Sequence, residues 1–196
     1  LAATAVCQGR VGETELTVPS ARLWSPECPY LYTLNAQANQ GETVLDEEEI
    51  SVGIRTLRFD ADHGFFLNGV SMKMRGVCVH HDAGALGAAV PKSVWRRRLE
   101  KFKAMGCNAL RTAHNPPDTH LLDLCDEMGF LVMDEAFDEW EGAKNKWWQG
   151  HNVYPPKRYG YAEDFPQWHR IDLEDMIRRD RNHPCVVIWS IGNEID

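Results

Sequence analysis

No run of about 18 consecutive apolar residues occurs in this 196-residue chain, which excludes a membrane-spanning helix. Positive charge is also short: 21 Lys and Arg face 29 Asp and Glu, a formal net charge of −8. A general binder of phosphate backbones carries a basic field, so a nucleic-acid partner is not expected. None of the six cysteines, at 7, 28, 78, 107, 125 and 185, forms a Cys-x-x-Cys pair. That argues against a zinc ribbon or a redox couple. Buried free thiols in a reducing, cytoplasmic setting are the expectation. The first ten residues lack an initiator Met and a basic–apolar export pattern. With the uncapped ending Ile191-Gly192-Asn193-Glu194-Ile195-Asp196, they lead us to expect a piece cut from a longer chain.

Two textures are present. Up to residue 57, short segments alternate with period two: Tyr32, Leu34, Ala36 and Ala38 share one side, and Ile50, Val52 and Ile54 repeat the pattern. Turn residues at Pro19-Ser20, Ser25-Pro26 and Asn39-Gln40-Gly41 separate them. This spacing predicts part of an antiparallel β-sandwich over 1–57. The acidic run Asp46 to Glu49 reads as a solvated strand edge.

From residue 58 strands and helices alternate. Strands are expected at Val70 to Val79, Asn108 to Thr112, Phe130 to Met133 and Val186 to Ile191. Helices are expected at Ser93 to Met105 (capped by Ser93), Asp118 to Met128 (closed by Gly129) and from Pro166 or Gln167 to Arg179. Such alternation implies α/β with a parallel sheet. No G-x-G-x-x-G follows the first strand, whereas every strand ends in polar residues: His80-His81-Asp82, Arg111 to His114, Asp134-Glu135, Asn193-Glu194. A (β/α)₈ TIM barrel collects its site from the C-terminal ends of many strands. Residues 58–196 suffice for the first four β/α units of such a barrel, which needs about 250 residues in full.

Glu194 is the leading candidate for chemistry. A carboxyl at the mouth of the apolar strand Trp189-Ser190-Ile191 is expected to be partly desolvated, hence protonated near neutrality and able to donate to a leaving oxygen. The competing reading is a carboxylate that caps a following helix or pairs with an arginine. Asn193 beside it offers an amide for a substrate hydroxyl. Trp147-Trp148 either stacks on a sugar ring or anchors its loop.

Several motifs together resemble glycoside hydrolase family 2, the β-galactosidases, β-glucuronidases and β-mannosidases. They are Trp189-Ser190-Ile191-Gly192-Asn193-Glu194 after Arg179-Asp180-Arg181-Asn182-His183-Pro184, Gly106 to Pro117, Gly129 to Ala136, and Phe65-Phe66-Leu67-Asn68-Gly69 followed by Arg75-Gly76-Val77. Trp24-Ser25-Pro26-Glu27 with Pro29-Tyr30-Leu31-Tyr32 resembles the immunoglobulin-like domain that precedes the barrel. His80-His81-Asp82-Ala83-Gly84 is most similar to the β-galactosidases.

The resemblance implies a retaining exo-glycosidase acting on terminal β-galactosides, homo-oligomeric when intact. Glu194 is its general acid/base, and its nucleophilic glutamate lies on a later strand. It implies substrate binding by Asn193 (the sugar 2-hydroxyl), His114, Asp82, His80 and Arg111. The alternatives are a glucuronidase or mannosidase of the same family, or a non-catalytic carbohydrate-binding module. Arg111 has a plainer reading as the ion-pair partner of Glu135 or Asp134, His114 as the brace of a turn, and His183 as a fixture of the loop into the fourth strand. Some family members hold magnesium after the third strand. Glu139 stands at a matching place, but the expected histidine is Glu141, so no cofactor is expected with certainty.

Overall fold

The structure is a computed structural model describing residues 1–7, 11–143 and 160–195, with the backbone alone of 147–148 and 151–152 between them. Two long strands, β1 (Tyr32–Gln40) and β2 (Thr43–Val52), form an antiparallel ribbon paired from Tyr32↔Val52 to Gln40↔Thr43, with a shift of register between Ala38 and Asn39. The expected half-buried face is not buried here: Leu34 is 39% exposed, and the acidic run is solvated as anticipated. A two-stranded ribbon covers neither of its own faces, so alternation alone cannot bury one.

A small meander follows, of β3 (Leu57–Asp60), β4 (Gly64–Leu67) and β5 (Val70–Ser71). The expected strand Val70 to Val79 is therefore two elements. Asn68 (φ 53°) and Gly69 (φ 79°) both occupy the left-handed region, and such a two-residue turn sends β5 back along β4. The first barrel strand starts only at β6 (Gly76–His80).

Next come α1 (Lys92–Ala104), β7 (Ala109–Ala113), α2 (Thr119–Met128), β8 (Leu131–Glu135), the two-residue strands β9 (Trp147–Trp148) and β10 (His151–Asn152), α3 (Phe165–Asp180) and β11 (Val186–Ser190). The four longer strands form one parallel sheet in the order β6-β7-β8-β11, with a helix between each successive pair. This is the start of a TIM barrel after the end of a β-sandwich. Helix α2 begins as its sequence predicts: the Asp118 carboxylate accepts from the His120 N–H at 2.9 Å, and Gly129 closes it in the left-handed conformation. Helix α1 differs. It starts one residue earlier, with Pro91 at the cap position and Ser93 inside the first turn.

The core lies between sheet and helices. Trp95 and Leu99 of α1, Leu121, Leu122 and Leu124 of α2, and Leu110, Leu131, Val132 and Val186 of the strands are all buried. Each such side chain stabilises the fold by roughly 1.5–3 kcal/mol. All six cysteines are free, as expected, yet only Cys125 and Cys185 are buried, while Cys7 and Cys78 are exposed.

The N-terminal segment is locked to the barrel floor. Trp24 is completely buried, and its Nε1–H donates to the Asp126 carbonyl at 2.9 Å. Arg55 donates to the carbonyls of Pro184 and Val186. His183 Nδ1 lies 2.6 Å from Asp126 Oδ2, while Asp126 Oδ1 accepts from the Cys185 N–H at 2.9 Å. These bonds tie the loop before β11 to α2, the scaffold role expected of His183.

Candidate active site

The C-terminal ends of β7, β8 and β11 converge on one side chain. Glu135, the last residue of β8, is 1% exposed and makes a two-pronged ion pair with Arg111 of β7. Arg111 Nε donates to Oε2 and Nη2 to Oε1, each at 2.9 Å. His114 Nδ1 lies 2.7 Å from Oε1, and Ser190 Oγ donates to Oε2 at 2.7 Å. Below, the Glu135 N–H donates to Thr112 Oγ1 at 2.9 Å. Burial alone would raise the Glu135 pKa, but the bonds from Arg111, Ser190 and His114 outweigh it and hold the carboxyl below its usual range. Glu135 in turn holds the Arg111 guanidinium above its ordinary value. The pair is thus a fixed, charged fork at the sheet's centre.

Arg111 reaches further. Its Nη2 also donates to Asn193 Oδ1 at 2.7 Å, and Asn193 Nδ2 lies 3.2 Å from Asp138 Oδ1. The segment after β11 is held by the loop after β8. The Ala136 N–H donates to the Ser190 carbonyl, Asn193 N–H to the Phe137 carbonyl, and Trp140 Nε1–H to the Ile191 carbonyl. Phe137, Tyr161, Phe165 and Trp140 stack into an aromatic cluster behind that loop. His80, at the end of β6, meets His114 edge-on with ring centres 5.2 Å apart.

Of the residues expected from the sequence, Arg111, His114, His80 and Asn193 are brought together, and Glu194 follows Asn193. Two of the expected residues lie in the open. Glu194 is exposed rather than withdrawn from solvent. Asp82 stands apart: its side chain is 69% exposed, and Oδ1 lies 3.9 Å from Arg98 on α1. Its N–H turns back to the His80 carbonyl, which steers the chain off the strand axis. The side chains of Trp147 and Trp148 lie outside the described residues.

A cleft of about 860 Å³ opens beside this network, lined by His80, His114, Asp138, Tyr161, Asp172 and Arg179 among others. Behind it sits a second charged group that sequence reasoning missed. Asp134 and Asp180 are both fully buried. Arg179 grips Asp180 with bonds of 2.6 and 2.7 Å, and Thr112 Oγ1 reaches Asp134 Oδ1 at 3.4 Å. Burial and the Asp180 carboxyl push the Asp134 pKa up to about 7, against the pull of Arg179 and Thr112.

Comparison with known proteins matches this architecture. Residues 61–195 match the family described as "Glycosyl hydrolases family 2, TIM barrel domain", and residues 2–55 match "Glycosyl hydrolases family 2". The chain belongs to glycosyl hydrolase family 2. It is 50% identical over 181 residues to "Beta-galactosidase BoGH2A" of Bacteroides ovatus, covering 92% of this chain and 20% of that protein. It is 41% identical over 180 residues to a "Putative beta-glucuronidase" of Formosa agariphila, covering 92% of this chain and 16% of that protein. A solved family 2 glycosyl hydrolase from Bacteroides cellulosilyticus superposes with a TM-score of 0.80 at 47% identity, over 90% of this chain and 21% of that one. The chain thus spans about a fifth of the length of these relatives.

Among the described residues, no group of three acidic, histidine or cysteine side chains gathers around Glu139, the place where the family resemblance would put magnesium. Glu139 is buried, but a methyl group placed on Gly160 would overlap its carboxylate, so backbone occupies the space beside it. Glu141 is exposed. Among the described residues the three-ligand cluster is Asp126, His183 and Cys185, whose polar atoms already bond one another or the backbone.

Proposed function

We propose that this chain supplies the acid/base side of a retaining exo-glycosidase that hydrolyses terminal β-galactosides. The observation that carries the reading is the junction of Arg111 with Asn193 at the mouth of the sheet, one residue before Glu194. Glu194 protonates the glycosidic oxygen while a carboxylate from a later strand attacks the anomeric carbon. In the second step Glu194 deprotonates the water that releases the sugar. The two carboxyl groups of a retaining pair stand about 5–5.5 Å apart. Asn193 holds the 2-hydroxyl, His114 and His80 line the sugar, and Arg111 keeps positive charge beside the nucleophile.

The cleft's charge supports a neutral sugar. Asp138, Asp164, Asp172 and Asp175 line it, and Arg179, the one arginine among its described lining residues, is already bound to Asp180. A uronate would bring a carboxylate to these acids, and like charge placed together costs affinity. The 50% identity to a β-galactosidase points the same way.

The test is turnover of 4-nitrophenyl β-galactoside, β-glucuronide and β-mannoside by the full-length protein, with Glu194→Gln beside it. Galactoside preferred, with Glu194→Gln lowering its kcat by about 10²–10⁴-fold, is the expected result. Preferred glucuronide refutes the sugar assignment, and an active Glu194→Gln refutes the acid/base assignment.

A further inference from the structure

We propose that Glu135 is a positioning residue that fixes which end of the Asn193 amide faces the substrate, and so makes the site selective for glycosides bearing a free 2-hydroxyl. The proposal rests on the acid/base reading above and adds a residue to it.

An amide has an acceptor end and a donor end of nearly the same shape. Which end meets the sugar decides whether a hydroxyl oxygen finds a donor or a second acceptor. Two contacts set that choice here. Arg111 has only donors, so the atom 2.7 Å from its Nη2 is the carbonyl oxygen Oδ1. Asp138 Oδ1 accepts on the opposite side, at 3.2 Å from Nδ2. The amide NH₂ has two hydrogens, and Asp138 takes one. The second is available to an oxygen in the site. A bond donated to the 2-hydroxyl strengthens as charge develops at the anomeric carbon, so it contributes more to the transition state than to binding.

Arg111 can serve as this clamp only while it is itself held. Its side chain is long and 29% exposed, and its fork closes on a carboxylate that is 1% exposed. Ser190 from β11 and His114 from the loop after β7 hold the same carboxylate. Glu135 thus links the strand that carries Arg111 to the strand that leads to Asn193. A glutamine in its place is close in shape but turns one oxygen into a donor, which at either position faces an Arg111 N–H. The fork opens, Oδ1 of Asn193 loses its fixed donor, and only the 3.2 Å bond to Asp138 is left to orient the amide.

The experiment measures kcat/KM of the full-length protein for 4-nitrophenyl β-galactoside and its 2-deoxy counterpart. Asn193→Ala is expected to bring the ratio of the two close to one. Glu135→Gln is expected to lower the ratio by about tenfold or more, the size of one hydrogen bond to a charged partner. It does so through kcat on the 2-hydroxy substrate, with KM little changed. In the double variant the ratio falls no further than in Asn193→Ala alone, because both changes remove one interaction. Should Glu135→Gln not fold, Arg111→Lys replaces it, since a single ammonium cannot grip Glu135 with two prongs and also reach Asn193; the same fall is expected. Equal losses on both substrates with an unchanged ratio would overturn the proposal and leave Glu135 a purely structural anchor. Glu194→Gln in the same series separates the two readings: if it retains full turnover the acid/base assignment fails, whatever the ratio does.

Discussion

Arg111 and Asn193, 82 residues apart in sequence, meet at 2.7 Å because β7 and the segment after β11 both empty onto the Glu135 carboxylate at the end of β8. The relationship makes Arg111 more than a charge near the reacting centre. Arg111→Ala leaves the buried, ionised Glu135 with only His114 and Ser190. The expected stability loss is about 2–4 kcal/mol, read as a lower denaturation midpoint. Arg111→Lys keeps the charge, and its loss of stability is expected to be about half as large.

The Asp134–Asp180 pair predicts a pH dependence of stability. The Asp134 pKa lies near 7 in the folded protein against 3.8 for the free side chain, so the native state binds a proton that the unfolded chain has lost. A raised folded pKa contributes stability that is complete below about pH 4 and is lost as pH rises towards 7. Asp180 and Arg179 face Asp134 from α3, Thr112 from β7 and the Cys185 thiol from the loop before β11. Asp134→Asn mimics the protonated form and removes the titration. The melting temperature of the variant relative to wild type should therefore be more favourable at pH 8 than at pH 5.5. A difference independent of pH refutes the shared proton.

Much of this arrangement can be read without coordinates. Asp118 and Gly129 announce the ends of α2 because each acts on its own neighbours. The reactive ends of β7, β8 and β11 follow from strand–helix alternation. The Arg111–Glu135 pair was one of two pairings that opposite charge on adjacent strands allows. Asp134 and Asp180 were not legible, because nothing local marks two carboxylates 46 residues apart as neighbours on a strand and a helix end. The Val70 to Val79 region misled because its apolar residues continue across the Asn68-Gly69 reversal. The direction of the Asp82 side chain, here 69% exposed, was not legible because a motif fixes a position in the chain and not where its side chain turns.

The joint between the N-terminal segment and the barrel is expected to be sensitive at Trp24. Trp24→Phe keeps an aromatic ring but loses the pyrrole half of the indole and its Nε1–H, leaving the Asp126 carbonyl at the end of α2 without its donor. An unsatisfied buried acceptor and the lost indole packing together cost about 2–4 kcal/mol. Because Asp126 also holds His183 and Cys185, hydrogen exchange should rise first in the loop at 182–186 and at the end of α2, with the β6–β7 pairing still protected.

Gly129 offers a sharper version of the same test. Its φ of 73° is left-handed, and a Cβ added there would lie 2.4 Å from the Pro26 carbonyl oxygen. Gly129→Ala therefore adds backbone strain of about 1 kcal/mol or more to a clash that neither backbone can relieve without moving. Asn tolerates the left-handed region better than Ala but brings the same Cβ against Pro26. If strain dominates, Gly129→Asn is clearly more stable than Gly129→Ala; if the close approach dominates, the two are equally damaging. The 2.4 Å separation predicts the second outcome, and chemical denaturation of the two variants side by side decides it.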